Sequence, residues 1–566
     1  MLKNLFLICT LAVMGLSACV NESAEEASVE QEAETSTVSM DKSSKPNFLI
    51  VLADDLGYSD VGFMGGEIDT PNLDKLAHDG VVFTNFYAMP TCSPSRAALL
   101  SGTDPHVAGL GNMAITMAPN QKGRPGYEGH LNHSVATVAS LLRSGGYQTF
   151  MTGKWHLGAA PDLTPPKRGF DRSFILTFGG GHFTDMGLIG GPYAKAVYLE
   201  DGERVELPTD FYSSRSYVDK MIDYLDSRDP NQPFFSYLAF TAPHWPLQAP
   251  AEAIKKYHGR YDAGYASLLR ERQTRMKELN LIAATVEVDD TELEEAWQNL
   301  SETEKRRASK EMEIYAAMID ELDSNLGRML KYLEDSGESE NTVIIFMSDN
   351  GAAGHNISDF WGDALSTYLV ECCDNSYENM GNGNSYLWTG PHWAKASSAP
   401  SRLYKGYTTE GGIKVPAVIY NPQAQHQMQT SDQLTAITDI APTILDMANI
   451  PSSPGVFEGR EVAPMTGKSL RPYLEGKSRQ FRSPNDGLGW ELFGRRAYRQ
   501  GEWKLISMYD AEGSKDWELY NLELDPSEAN DLSFANPKKL TEMISLWEAY
   551  GKSNNVIMPE TVLEGL

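Results

Sequence analysis

Two short, uninterrupted apolar runs constrain the fold of this chain more than any other feature. Phe48-Leu49-Ile50-Val51-Leu52-Ala53 runs into Asp54-Asp55, and Thr342-Val343-Ile344-Ile345-Phe346-Met347 runs into Ser348-Asp349-Asn350-Gly351. A strand that is apolar at every position is buried on both faces, the condition inside a parallel sheet covered by helices. Each run delivers acidic or amide side chains at its carboxyl end, where open α/β sheets place their ligand sites. Other segments repeat the arrangement. Val135 to Ser144 reads as a helix stopped by Gly145-Gly146. Tyr147 to Met151 reads as a strand with Gly153-Lys154-Trp155-His156-Leu157-Gly158 as its exit loop. Pro233 to Phe240 is a further strand, leaving through Ala242-Pro243-His244-Trp245-Pro246. Glu311 to Leu333 carries Ile314, Met318, Leu322 and Leu326 at the spacing of an amphipathic helix laid on a sheet. The polar clusters fall at strand ends, which predicts a doubly wound α/β architecture with its site along one rim.

The length of 566 residues accommodates one large domain and a smaller one, and 41% hydrophobic residues supply their cores. The net charge of -29 repels nucleic acid and anionic lipid, so no nucleic-acid partner is expected. Residues 1–19 read as a processing segment: Lys3, an apolar run from Leu5 to Leu16, then Leu16-Ser17-Ala18-Cys19. That run is too short to span a bilayer and has the length of a signal core. Its ending resembles a bacterial lipoprotein signal with Cys19 lipidated, which predicts an exported chain anchored by lipid at the outer membrane, periplasm or cell surface. An ordinary signal cleaved near Ala18 is the alternative. Residues 20–46 form an acidic tether too poor in apolar residues to fold. The main domain is expected over 47–484. A C-terminal subdomain is expected over 485–566, from strand signals at Gly494 to Ile506 and Trp517 to Leu522 and a helix from Lys539 to Tyr550. Leu268 to Lys310 reads as surface helices, and Ile357 to Ser401 as a long irregular excursion. Within the excursion Cys372 and Cys373 are adjacent. A bridge between neighbours closes a strained ring, so two free thiols are expected.

Asp54, Asp55, Asp349 and Asn350 offer oxygen ligands alone, the donor set of a hard cation such as Ca²⁺ or Mg²⁺. Asp54-Asp55 by itself also reads as a turn cap; the matching Asp349-Asn350 strand end argues for a site. Cys92 precedes a helix from Ser93 to Gly102 with Pro94 in its first turn, where unpaired N–H groups and the helix dipole favour an anion. Arg96 lies one turn further on the same face. Lys154 and His156, two residues apart on an extended segment, point to one side. His244 stands in a loop between prolines, and Lys405 precedes a strand from Val415 to Tyr420. Singly, each His reads as a structural hydrogen-bonder and each Lys as a solvated charge. Jointly, at successive strand ends, they form a cationic pocket suited to an anionic transition state. Trp388, His392 and Trp393, with Phe178-Gly179-Gly180-Gly181-His182, read either as walls of a substrate pocket or as packing of the excursion.

Cys92-Ser93-Pro94-Ser95-Arg96 matches the C-x-P-x-R signature of the sulfatases, and its setting from Pro90 to Asp104 resembles the bacterial arylsulfatase type. Five residues alone arise by chance. Together with the 153–158 and Glu410-Gly411-Gly412 segments, the resemblance to the formylglycine-dependent sulfatases of the alkaline phosphatase-like superfamily extends from Asn47 to about Asn530. It implies the α/β sulfatase fold: a large mixed, mostly parallel sheet flanked by helices, plus a small C-terminal sheet-and-helix subdomain. It implies oxidation of Cys92 to 3-oxoalanine (formylglycine) by a maturation enzyme. It implies calcium, with magnesium as alternative, bound by Asp54, Asp55, Cys92, Asp349 and Asn350. Arg96 and Lys154 are then expected to stabilise the nucleophile and sulfate oxygens, and Asp349 to accept the nucleophile's proton. His156 would deprotonate the second hydroxyl, while His244 with Lys405 would bind sulfate and assist the leaving oxygen. The implied activity is arylsulfatase-type hydrolysis of an aryl sulfate or sulfated carbohydrate. The alternatives are a carbohydrate sulfatase of the same mechanism, or a phosphate or phosphonate ester hydrolase on the same fold. A non-catalytic binding protein is disfavoured because every site position is filled.

Overall fold

The computed structural model describes residues 45–183, 196–356, 367–424, 430–508 and 516–560. The expected signal (1–19) with Cys19, and the tether up to Ser44, lie outside the described residues.

Asn47–Asp54 is buried at every position because parallel strands flank it on both sides. Val51 stands opposite Leu238 of Phe234–Pro243 on one side and Phe346 of Thr342–Ser348 on the other. Outward from Phe234–Pro243 come Gln148–Lys154 and Arg172–Leu176, both parallel, then Tyr198–Glu200 and Glu203–Arg204, antiparallel. Outward from Thr342–Ser348 come Ala417–Tyr420, antiparallel, then Val81–Phe83 and Thr430–Ser431. Among the described residues, ten strands thus form one mixed sheet whose centre is parallel.

Two cores sandwich this sheet, because alternate side chains of each strand leave on opposite faces. Ile50 and Leu52 pack with Cys92–Ser101, Val138–Ser144 and Ile440–Met447 through Leu99, Leu142 and Ile444. Leu49 and Val51 pack with Ser213–Asp226 and Glu302–Asp335 through Met221, Met318 and Leu322. The helix Glu302–Asp335 starts well before the predicted Glu311. Its first turns are charged and carry no apolar period, but Ser301 and Glu304 form a reciprocal capping box that nucleates them.

At the C-terminus, Gly487–Leu492, Arg495–Gln500, Trp503–Ser507 and Trp517–Asn521 form an antiparallel meander. The strand signals from Gly494 to Ile506 resolve into two strands joined by a turn in which Gly501 takes φ 59°. The helix Pro537–Ser553 lays Met543 and Trp547 against Leu505 and Leu519 of this sheet. The opposite face joins the main core through Trp490, Ala497 and Ile506, and the Trp490 indole N–H donates to the Ala88 carbonyl at 3.0 Å. No helix among the described residues is long and apolar enough to cross a membrane.

Cys372 and Cys373 are joined in a disulfide, correcting the expectation of two free thiols. The following loop supplies the reason. The Asp374 N–H donates to Asn384 O and the Tyr386 N–H to Asn375 Oδ1, folding the chain back on itself. Both cysteines belong to an apolar cluster around Tyr386 with Trp245, Tyr368, Leu369 and Trp388, contacts that an isolated pair of neighbours would lack.

Candidate active site

The two apolar strands bring their polar ends together as neighbours in register. Ala53 pairs with Ser348, the Asp349 N–H donates to Ala53 O at 3.1 Å, and the Asp55 N–H donates to Asp349 Oδ1 at 3.3 Å. Asp54, Asp55, Asp349 and Asn350 are all 0% exposed. Asp55 holds φ 65°, an unfavourable backbone for a residue with a Cβ, and His156 (φ 58°) and Leu403 (φ 58°) on the flanking loops do the same. Backbone strain of this kind persists where the surrounding structure over-determines it, as at active sites.

Cys92 opens a helix buried along its length, and its Sγ lies 3.6 Å from Asp55 Oδ1 and 3.2 Å from Lys405 Nζ. Arg96, one turn on, forks onto Asp349 Oδ2 through Nε (2.9 Å) and Nη2 (2.8 Å), while Nη1 donates to Lys154 O. Lys154 Nζ sits 2.6 Å from Asp54 Oδ2, and Lys405 Nζ sits 2.7 Å and 2.8 Å from the two Asp55 oxygens. His244 Nε2 is 3.5 Å from Asp55 Oδ2. His156 joins from its strand exit, with Nδ1 buried and without a hydrogen-bond partner. The expected residues are therefore brought to one place.

Three buried carboxylates face one guanidinium and two ammonium groups, and this mutual pairing sets their ionisation. Burial raises Asp54, but Lys154, His244, Arg96 and Lys405 together hold it well below the usual carboxylate range. Asp349 is pushed up to about 7 by burial and by Asp54, against the pull of Arg96. Burial, then Lys154, lowers His244 to about 3 and His156 well below its ordinary value, so both imidazoles are neutral. Burial also pushes the Cys92 thiol well up, despite Lys154 and Lys405. A thiol so held is a weak nucleophile, because the thiolate is the reactive form.

Asp54, Asp55, Cys92 and His244 each place one ligand atom within 4.8 Å of the others, a group able to hold a metal ion. His244 was expected to bind sulfate and was not among the expected ligands. Asp349, which was among them, turns Oδ2 onto Arg96. A hard cation fits this site on a separate ground: Asp54 Oδ1 and Asn350 Oδ1 are buried oxygens that accept no hydrogen bond. Leaving each unsatisfied costs about 1–3 kcal/mol, which coordination would relieve.

Two glycines in the segments singled out by sequence carry tight approaches. A Cβ on Gly153 (φ 106°) would lie 1.8 Å from Ala239 O, and one on Gly411 would lie 2.0 Å from Leu403 O. Sequence reasoning missed the support of His244. His182 is fully buried, and its ring bridges Ser213 Oγ (2.9 Å) and the His244 carbonyl (2.9 Å). It also missed Tyr315, whose hydroxyl donates to Asp55 O at 3.2 Å. Trp393 is no pocket wall. It is 1% exposed and packs edge-on against Tyr265 and Trp297, beneath the charged helices.

Comparison with known proteins agrees with this geometry. The sequence model of the Sulfatase family matches residues 46–450, and that of the N-sulphoglucosamine sulphohydrolase C-terminal region matches 403–549. An uncharacterized sulfatase of Schizosaccharomyces pombe is 45% identical over 91% of this chain and 95% of its own. An arylsulfatase of Klebsiella aerogenes is 38% identical over 78% of this chain and 94% of its own. The crystal structure of Ps i-CgsB superposes with a TM-score of 0.63 at 25% identity, covering 92% of this chain and 95% of the other. With the sheet, its polar strand ends and the cationic pocket in place, the chain belongs to the sulfatase family of the alkaline phosphatase-like superfamily and is a sulfatase.

Proposed function

We propose that the protein hydrolyses sulfate monoesters of the aryl type, with Cys92 oxidised to formylglycine and a divalent hard cation, Ca²⁺ or Mg²⁺, at the carboxylate cluster. One observation carries this reading. Cys92 is buried at a helix start, within 3.6 Å of Asp55 and 3.2 Å of Lys405, as a thiol whose surroundings disfavour its reactive form. Oxidation at that position supplies an aldehyde hydrate, whose two hydroxyls on one carbon serve attack and release in turn. Asp54, Asp55, Asp349, Asn350 and the modified residue 92 would hold the cation, with Asp349 Oδ2 also facing Arg96. When bound, the cation supplies Lewis-acid stabilisation of negative charge developing on oxygen.

The remaining roles follow from placement. Arg96 is fixed by Asp349 and by the Lys154 carbonyl, so its fork complements negative charge at residue 92 without reorganising. Lys154 and Lys405 bring ammonium groups to the sulfate oxygens, and His244 brings an N–H donor to the same oxygens or to the leaving oxygen. His156, whose Nδ1 is unpartnered, is read as the proton acceptor for the second hydroxyl in the tautomer that leaves a ring nitrogen unprotonated toward the site. The maturation enzyme acting on Cys92, the division at residue 484, and export with a lipid anchor on Cys19 belong to the same reading.

A second substrate class has one observation in its favour. The match of residues 403–549 to an N-sulphoglucosamine sulphohydrolase C-terminal model, which includes Lys405, supports a sulfated carbohydrate. The deciding experiment combines peptide mass at Cys92 with initial rates on nitrophenyl sulfate, sulfated monosaccharides and nitrophenyl phosphate. An oxidised Cys92 with the highest kcat/KM on the aryl sulfate is expected. An unmodified thiol in active enzyme, or preference for the phosphate, would refute the proposal; preference for the sugar sulfate would select the second class.

A further inference from the structure

Exposure within the site rises toward Lys405 and His244. The side chains of Asp54, Asp55 and Cys92 are at most 1% exposed, whereas Lys405 is 15% and His244 5% exposed. The alcohol portion of an ester whose sulfate sits among the cations therefore extends past His244 and Lys405. Next in the chain to His244 stands Trp245, with ring centroids 4.5 Å apart, and Trp245 meets Tyr386 at 5.9 Å. Trp388, Cys372 and Cys373, all partly exposed, belong to the same apolar cluster around Tyr386, which thus adjoins His244 through Trp245.

The wall is fastened to the loop that carries His244. The Leu247 N–H donates to Leu387 O at 2.9 Å, the Gln248 amide donates to Ser385 O at 2.8 Å, and the Ala249 N–H donates to Gly381 O. Thr389 Oγ1 donates to Ala353 O, tying the same limb to the loop after Asn350. The disulfide presents polarizable sulfur atoms, which make favourable contacts with aromatic rings.

We propose that Trp245, Trp388 and the Cys372–Cys373 disulfide form the subsite for the aromatic ring of the leaving group, which rests on the arylsulfatase reading above. The charged residues next to the disulfide in the chain are the exposed acids Glu371 and Asp374. Those acids repel a second sulfate, so the wall suits a neutral aryl ring over a multiply sulfated oligosaccharide.

The test uses the full chain and two readouts, KM for nitrophenyl sulfate and direct fluorescence titration with its product, nitrophenol. Trp388→Ala should raise both KM and the nitrophenol Kd about tenfold, Trp388→Phe by less than about threefold, and neither should move the inhibition constant of inorganic sulfate. Cys372→Ser/Cys373→Ser should weaken nitrophenol binding in the same direction as Trp388→Ala. Unchanged nitrophenol binding in Trp388→Ala overturns the proposal, as does an equal loss of sulfate affinity, which would mean that the wall acts through the anion site. If the wild-type protein turns over no aryl sulfate, the arylsulfatase reading falls, and the titration still decides whether the wall binds a ring.

Discussion

Gly411 offers a test of whether Lys405 acts through its placement. A Cβ at residue 411 would stand 2.0 Å from Leu403 O and 2.5 Å from Arg402 O, where real Cβ contacts stay above 3.0 Å. Both obstacles are backbone atoms, so Gly411→Ala must push the 402–405 segment away by about 1 Å, because packed backbone cannot yield by rotating a side chain. That segment is also tethered by the Gly411 N–H to Arg402 O and by the Lys405 N–H to Ala352 O. Lys405 Nζ begins 2.7 Å from Asp55 and 3.2 Å from Cys92, so the displacement takes it out of hydrogen-bonding range of both. A misplacement of this size costs about 100-fold in catalysed rate. The assay is kcat/KM on nitrophenyl sulfate, alongside melting temperature and peptide mass at residue 92. Gly551→Ala, where the added methyl finds its nearest neighbour at 3.6 Å, serves as control. A folded Gly411→Ala protein with kcat/KM within threefold of wild type (about 0.7 kcal/mol) would refute the reasoning, because Lys405 would then tolerate displacement.

Other outcomes follow from the same geometry. Cys92→Ser supplies one hydroxyl where two are needed, so with aryl sulfate it should release a single burst of phenol and retain a sulfo group on the serine peptide; sustained turnover would count against the formylglycine reading. Asp54→Ala removes the buried carboxylate that pairs with Lys154, and should lose the bound divalent ion, measured by elemental analysis, with a rate loss of at least about 1,000-fold. His106 is raised from 6.5 to about 9; burial opposes this, but Asp104 at 2.8 Å and Glu491 at 3.1 Å outweigh it. The folded-state pKa being the higher one, the stabilisation is full below pH 6.5 and lost as pH rises through about 9; it amounts to roughly 3 kcal/mol, and denaturant unfolding of wild type should converge on that of His106→Gln over that window.

The parts of this protein legible in its sequence are those whose signal is local. Phe48 to Ala53 and Thr342 to Met347 are apolar throughout because both faces of a central parallel strand are covered, and that pattern needs no knowledge of the partner strand. The strand ends carry Asp54, Asp55, Asp349 and Asn350 to one rim because adjacent parallel strands finish side by side, and Cys92 and Arg96 share a helix face by spacing alone. What tertiary structure decided is what depends on which distant surfaces meet. Trp393 reads either as a pocket wall or as packing, and it is core, because the charged helices fold over it. His182 reads like part of a glycine-rich lining and is instead the clasp on the His244 loop. Asp349 is read by composition as a metal ligand, and only the folded chain shows that its Oδ2 also faces Arg96. The Cys372–Cys373 bond is disfavoured on the strain of an isolated pair, whereas in the fold the pair is bridged and sits in a cluster with Trp245 and Tyr386, far apart in sequence. Periodicity reports whether a residue is buried; only the folded chain determines what it is buried against.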